Sequence, residues 1–419
     1  MSSLPKLRLS EFSDSNTYCL HKFDDMFSFS SGKNIKQNES SPEFSTPCVR
    51  YGELYHMYGE VITKTINNTN LEHSELTFSA GNEILLPSAG EDPLDIGSAS
   101  ALTLEGVAIG RTINVLRPKG TIDYSHIYVS YYINEKLRKR ISQLARGASI
   151  SNVYNSDLKT LKAYIPSLPE QQKVATFLSK VDEKIALLTE KKDKLTEYKK
   201  GVMQQLFNGK WEEQAGQLTF IPPTLRFKAD DGSEFPDWEE KKLSNFLKES
   251  RIKGDSGDKA KKLTVKLWGN GVHEKNEARD GSVNTQYYVR KAGQLIYSKL
   301  DFLNCAFGIV PEYLCGYQST LDLPCLDIDS EIVHPYFLLE RVKQKSFYKK
   351  FGDTADGSRK AKRIHVDVFT GFLMPLPSLE EQVKITNFLL ALDQKIDLAN
   401  SELEKAKEWK KGLLQQMFV

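Results

Sequence analysis

Apolar positions recur three and four apart along two stretches of the chain, Pro166–Phe207 and Pro377–Phe418. The first seam reads Leu178, Val181, Ile185, Leu188, Leu195, Val202 and Leu206. The second reads Leu389, Leu392, Ile396, Ala399, Leu403, Ala406, Leu413 and Met417. That is the coiled-coil period, broken at seam positions by Lys192, Lys199 and Lys410. Each stretch opens on proline, which suits only the entry to a helix, and then runs without proline or glycine to Gly201 or Gly412. Ser167 with Glu170, and Ser378 with Glu381, have capping-box spacing. Both stretches therefore predict one long helix, and their matching seams predict that the helices pair with each other.

The two stretches are copies. They align without a gap, with 20 of 42 positions identical. The shared pattern extends to the head of each unit. Leu4-Pro5-Lys6-Leu7-Arg8 is echoed by Pro223-Thr224-Leu225-Arg226-Phe227, and Tyr18, Lys22, Phe23 and Phe27 by Trp238, Lys242, Leu243 and Leu247. Between these frames the interiors diverge, with β-like runs at 53–65, 75–78 and 107–116 and helical patterns at 125–144 and 335–348. Ala80-Gly81-Asn82 and Ala292-Gly293-Gln294 form a matching turn before a strand. Asn208-Gly209-Lys210 signals a helix end, and Ile221-Pro222-Pro223 a linker. The predicted fold class is α+β: two mixed α/β domains separated by a pair of long antiparallel coiled-coil helices, in a pseudo-two-fold tandem repeat. The boundaries are 1–165 and 211–376 for the domains, 166–210 and 377–419 for the helices.

Composition narrows the chemistry. A formal net charge of +2 provides no polybasic tail, so any nucleic-acid contact must come from local patches. Five cysteines, an odd number, suit a reducing cytoplasm better than a disulfide framework, and the run Cys305, Cys315, Cys325 lacks zinc-ligand spacing. No apolar run approaches a membrane span. Dinucleotide, P-loop and zinc-protease motifs are absent, as are the Asn-Pro-Pro-aromatic and Asp-Pro-Pro-aromatic motifs of amino-methyltransferases. Pro236–Lys241 holds the letters of a nuclease motif with its acidic pair too compressed for a metal; it reads better as the cap of a helix. A self-contained enzyme is not expected.

Basic residues carry more information. The candidate DNA contacts are Lys33, Arg111, Arg117 and Arg146 in the first unit, and Lys253, Lys261, Lys262, Arg359, Lys360, Lys362 and Arg363 in the second. A solvated face explains any single cluster. It explains Arg359–Arg363 less well, because four of its five residues are basic directly after a Gly-Ser turn.

The duplicated phrases PSLPEQQKVATFL and PSLEEQVKITNFL, and the helix ends KKGVMQQLF and KKGLLQQMF, resemble the specificity (S) subunit of type I restriction–modification systems over essentially the whole chain. The resemblance implies two target recognition domains, each reading half of a split DNA site. Glu170, Gln171, Glu381 and Gln382 would then mark the scaffold. It also implies partners: double-stranded DNA, two methyltransferase (modification) subunits docked on the helices, and restriction subunits. This chain would bind no cofactor; S-adenosylmethionine and ATP with Mg would belong to the partner subunits. Two rival readings are a two-headed coiled-coil adaptor for proteins, and a methyltransferase or nuclease with unrecognised motifs.

Overall fold

The computed structural model of the chain describes residues 4–14, 17–214, 217–275, 281–352 and 363–418. It is an α+β protein whose contacts divide it into two units, one of residues 1–191 and 399–419, the other of residues 192–398. The two long helices run from Leu168 to Phe207 and from Leu379 to Met417. Each is about 60 Å long at 1.5 Å per residue. Among the described residues no helix is long and apolar enough to cross a membrane.

The first unit holds two five-stranded sheets. One has the order 27–31, 113–118, 83–87, 100–102, 61–62; the other 40–41, 67–69, 46–49, 105–109, 78–80. The predicted strand 107–116 is thus two strands in different sheets, Glu105–Ile109 and Ile113–Pro118. The turn at Gly110-Arg111-Thr112 separates them, with Thr112 left-handed at φ 66°. The β-like run from residue 53 instead opens inside a helix, Tyr51–His56. Glu53 caps that helix by accepting the Arg50 N–H at 3.0 Å, a local hydrogen bond that outweighs strand propensity in so short a segment. The helical pattern 125–144 is a continuous helical run in which residues 133–137 form a π-helical turn, and Ser125 caps its start. Its buried Tyr128, Val129 and Ile141 pack in one core with Val174, Leu178 and Val181 of the first long helix. Leu413, Met417 and Phe418 from the end of the second long helix join the same core.

The second unit is built on a four-stranded sheet, 247–250, 325–328, 295–297, 307–309, and a three-stranded one, 253–256, 286–289, 318–319. Its core joins Trp238, Tyr297, Phe302, Phe337 and Phe369 to Val202 and Leu206 of the first long helix and Ile385 and Leu389 of the second. Between the helix end at Phe207 and Pro222-Pro223 lie two antiparallel strands, Lys210–Gln214 and Gln217–Ile221, where the sequence shows only a polar stretch. The segment Pro236–Lys241 does not cap a helix. It leads into strand Glu239–Lys242, which pairs with Leu373–Leu376 just ahead of the second long helix. Strand Cys19–Lys22 pairs in the same way with Lys162–Ile165 ahead of the first. In both units the duplicated head of the sequence is therefore zipped to the start of the duplicated helix.

Candidate nucleic-acid interface

The repeated Pro-x-x-x-Glu-Gln phrase does its work at these helix starts. Glu170 and Glu381 are 1% and 0% exposed, a burial that a carboxylate tolerates only with a partner. Arg8 supplies two donors to Glu170 at 2.9 and 2.7 Å, and Arg226 two to Glu381 at 3.0 and 2.7 Å. The expected capping box is half formed in the second helix. Ser378 Oγ accepts the Glu381 N–H at 3.3 Å, but the carboxylate turns to the arginine rather than back to the cap. Gln171 Oε1 accepts the N–H of Ser125, and Gln382 Oε1 that of His334, so each glutamine fixes the start of the unit's main helix. Both also donate to the carbonyl of the proline that opens the phrase.

Two of the seam lysines, Lys199 and Lys410, have equally specific partners. In the second unit Lys199 reaches Asp393 at 2.5 Å, and Tyr336 donates to the same carboxylate. In the first unit Lys410 reaches Asp182 at 2.7 Å and Glu60 at 2.8 Å, and Tyr131 donates to Asp182. Asp182 and Asp393 are equivalent positions of the repeat, as are Lys199 and Lys410. Each unit thus carries the same Tyr–Asp–Lys triad, built from one residue of its interior and one from each long helix. Burial alone lowers the Lys410 pKa, but Glu60 and Asp182 outweigh it and hold the ammonium above its ordinary range. Within the first unit Asp182 faces Lys410 and Lys191 faces Glu402 at 3.3 Å, so the two helix segments run antiparallel.

On this frame the first unit presents its basic residues on linked loops. Gly32 approaches Gly110 so closely that a Cβ would lie 2.0 Å from its carbonyl oxygen, which requires glycine there. Lys33 N–H then bonds the Ile109 carbonyl at 3.0 Å, and Arg111 N–H that of Asn34 at 2.9 Å. The chain of contacts continues from Ser88 N–H to Thr112 at 2.8 Å and from Val153 N–H to Ser88 at 2.9 Å, while Arg146 and Asn152 exchange both bonds. Lys33, Arg111 and Arg146 are exposed on these loops. Asn34, Ile35 and Thr112 have φ of 47°, 55° and 66°, a cluster of left-handed residues that is sterically costly, above all for β-branched Ile35. Arg146 holds Asp157 at 2.7 Å yet remains 73% exposed. Arg117 differs. It donates to Glu83 at 3.1 Å, Ser30 Oγ at 2.7 Å and the Phe78 carbonyl at 3.0 Å. Glu83, fully buried, also accepts the N–H groups of Ala80, Gly81 and Asn82, so Arg117 braces the turn foreseen there.

In the second unit Lys253 lies exposed on strand 253–256, and Lys261 is exposed five residues beyond it. Gln318 ties the two segments: its side chain accepts the Asp255 N–H at 2.7 Å, and its own N–H bonds the Lys261 carbonyl at 2.7 Å. Lys262 is 8% exposed, with its ammonium 5.6 Å from the Tyr287 ring centroid. Arg363 is exposed. Arg359, Lys360 and Lys362 lie outside the described residues. Arg290, which no sequence motif marks, is fully buried and donates to Ser319 Oγ at 2.7 Å and to the Ser250, Ser319, Thr320 and Leu323 carbonyls. Burial pulls its pKa down. Cys305 and Cys325 are buried free thiols, raised by burial to about 11 and about 12. Among the described residues no group of three His, Cys, Asp or Glu side chains could hold a metal ion.

Residues 18–197 match the family model described as the type I restriction modification DNA specificity domain. The chain is 26% identical over 323 residues to the putative type I restriction enzyme MjaX specificity subunit of Methanocaldococcus jannaschii, covering 74% of this chain and 71% of that one. It is 25% identical over 359 residues to the type I restriction enzyme MjaVIII specificity subunit of the same organism, covering 81% and 78%. Among solved structures it shares its fold with the S subunit of a type I restriction-modification system from M. genitalium. The TM-score is 0.60 at 17% identity, over 100% of this chain and 99% of that one. A chain from a structure addressing complex assembly and conformational transition of the type I R-M system aligns with a TM-score of 0.53 at 13% identity, over 96% and 97%.

Proposed function

We infer that this chain is a type I restriction–modification specificity subunit, the non-catalytic component that recognises DNA sequence for its complex. The observation that carries the reading is the pairing of like frames with unlike interiors. Each unit repeats the Arg–Glu–Gln clasp and the Tyr–Asp–Lys triad. The loops mounted on those frames differ in sequence, strand order and basic residues. Equal mounting with unequal loops suits two readers of two different half-sites. The long helices, continuous from one unit into the next along the chain, then set the gap between half-sites. Two readers on one face of a duplex sit about one turn, 10–10.5 bp, apart centre to centre.

The partners in this reading are two modification subunits docked on the helices, with restriction subunits joining them. S-adenosylmethionine and ATP with Mg act on those partners. Exposed Lys33, Arg111, Arg146, Lys253, Lys261 and Arg363 contact phosphates, which position the readers without themselves specifying sequence. Lengthening both helices by four residues adds about 6 Å, so the unread gap grows by one or two base pairs while both half-sites persist.

Methylation mapping of the host genome, with and without the chain, tests the whole. Loss of one bipartite methylation pattern is the expected result. An unchanged methylome would favour the protein adaptor, whose duplex binding should also lack the steep salt dependence of phosphate contacts.

A further inference from the structure

Among the exposed large apolar side chains of the second unit, one stands on a backbone it should avoid. Trp268 is 65% exposed and has φ 61°, the left-handed region where a bulky residue is an outlier. Gly269, Asn270 and Gly271 follow it in the same hairpin tip, between strands 263–265 and 272–274, and any of them would take that conformation more easily. The strain is held by the main chain. Trp268 N–H bonds the Asn304 carbonyl at 2.7 Å and Gly269 N–H the Cys305 carbonyl at 2.8 Å, with Cys305 itself left-handed at φ 53°. The indole is therefore presented on a fixed base.

Beside it lies an open depression of about 750 Å³, lined by Trp268, Leu303, Asn304, Lys345, Tyr348 and Lys349. Lys345 and Lys349 are exposed and sit one turn apart on the helix Lys345–Gly352, so both extend from one face. Among the described residues no acidic side chain lines the depression. A rigid aromatic face, two cations and an amide is the set that meets a nucleic-acid strand: a base or sugar against the ring, phosphates on the cations. An apolar protein partner would leave both ammonium groups without a counter-charge.

We propose that Trp268, Lys345 and Lys349 form a second-unit contact to duplex DNA, with the indole packed against a base step and the two lysines on flanking phosphates. This deepens the recognition function above and rests on it. Trp268 is the residue that would confer sequence preference there, because a base step that unstacks easily accepts the wedge at lower cost.

The test uses the full chain in complex with its modification subunits and a duplex carrying the methylated site. Trp268→Ala should weaken specific binding about tenfold or more, Trp268→Phe should recover most of it, and the unfolding temperature should not move. Lys345→Ala with Lys349→Ala should flatten the slope of log affinity against log salt by roughly 1.8. Unchanged affinity and slope in these variants would overturn the contact, and so would loss of a protein partner with duplex binding intact. Absence of salt-dependent duplex binding by the unsubstituted complex would instead remove the recognition function itself.

Discussion

Substituting Glu381 by alanine tests the frame at its most buried point. The carboxylate is 0% exposed and takes two donors from Arg226, whose side chain is 14% exposed. Removing it leaves the guanidinium with the Pro236 carbonyl at 2.6 Å and the exposed Asp237 carboxylate at 3.6 Å. Breaking a buried pair from one side costs about 3–5 kcal/mol, because a charge is left in a poor solvent. The remaining partners of Arg226 place the expected loss near 3 kcal/mol, the lower end. For a unit of this size each kcal/mol moves the midpoint by about 2–4 °C, so the second unit should melt roughly 6–12 °C lower by calorimetry. Hydrogen bonding to Glu381, then the charge of that carboxylate, holds the Arg226 pKa above its already high ordinary value despite the cost of burial. A raised pKa means the contribution is present below the ordinary value, so the loss should not vary with pH in the working range. Replacing both residues by methionine should cost much less than Glu381→Ala alone, since a well-packed apolar pair is close to neutral. The reasoning fails if Glu381→Ala costs under about 1 kcal/mol, or if the double variant is as damaged as the two single losses added together.

Other substitutions separate frame from interface. Lys410→Met should destabilise the first unit by about 2 kcal/mol, since it leaves Glu60 and Asp182 facing each other and the site is only partly buried. The folded Lys410 pKa is raised, so the deficit relative to the unsubstituted chain should be constant below pH 10.5 and shrink above it in denaturant titrations. Arg117→Ala should lower first-unit stability by about 3 kcal/mol by leaving the buried Glu83 carboxylate without its guanidinium and with its backbone N–H partners alone, whereas Arg111→Ala should leave unfolding unchanged and flatten the salt slope of duplex binding by roughly 0.9. Arg290→Ala should cost the second unit about 3 kcal/mol, because the Ser250, Thr320 and Leu323 carbonyls each lose the bond that the buried guanidinium donates, and urea titration would show it. An Arg290→Ala chain as stable as the original would mean that those carbonyls reach water.

The long helices, their pairing seam and the duplication were legible in the sequence because they are local and periodic. A seam of apolar positions three and four apart with proline at its entry needs no distant partner to be recognised, and a copy confirms itself. The Glu and Gln of each helix start could be marked as scaffold by the family likeness alone. That Glu170 reaches back to Arg8 and Glu381 to Arg226 depends on strand pairing between residues far apart in sequence, Cys19 with Ile165 in the first case and Glu239 with Leu376 in the second, and only the folded chain brings it about. Lys199 and Lys410 look like defects in the seam; their carboxylate partners lie on the opposing helix and, for Lys410, on an interior loop as well, so only tertiary structure explains them.

Basic residues were named by charge, and charge is blind to what a side chain touches. Lys33 and Arg111 stand exposed on loops that backbone hydrogen bonds bring together, while Arg117 braces a turn and Lys262 lies under a tyrosine ring. Trp268 carries no mark in the sequence, because its setting comes from φ 61° and from Lys345 and Lys349, which approach it from a helix more than seventy residues along the chain. Periodicity determined the rods of this molecule, since helix is a property of neighbours in sequence. The grouping of exposed basic residues was left to the tertiary structure, since it is assembled from loops whose neighbours are far apart in the chain.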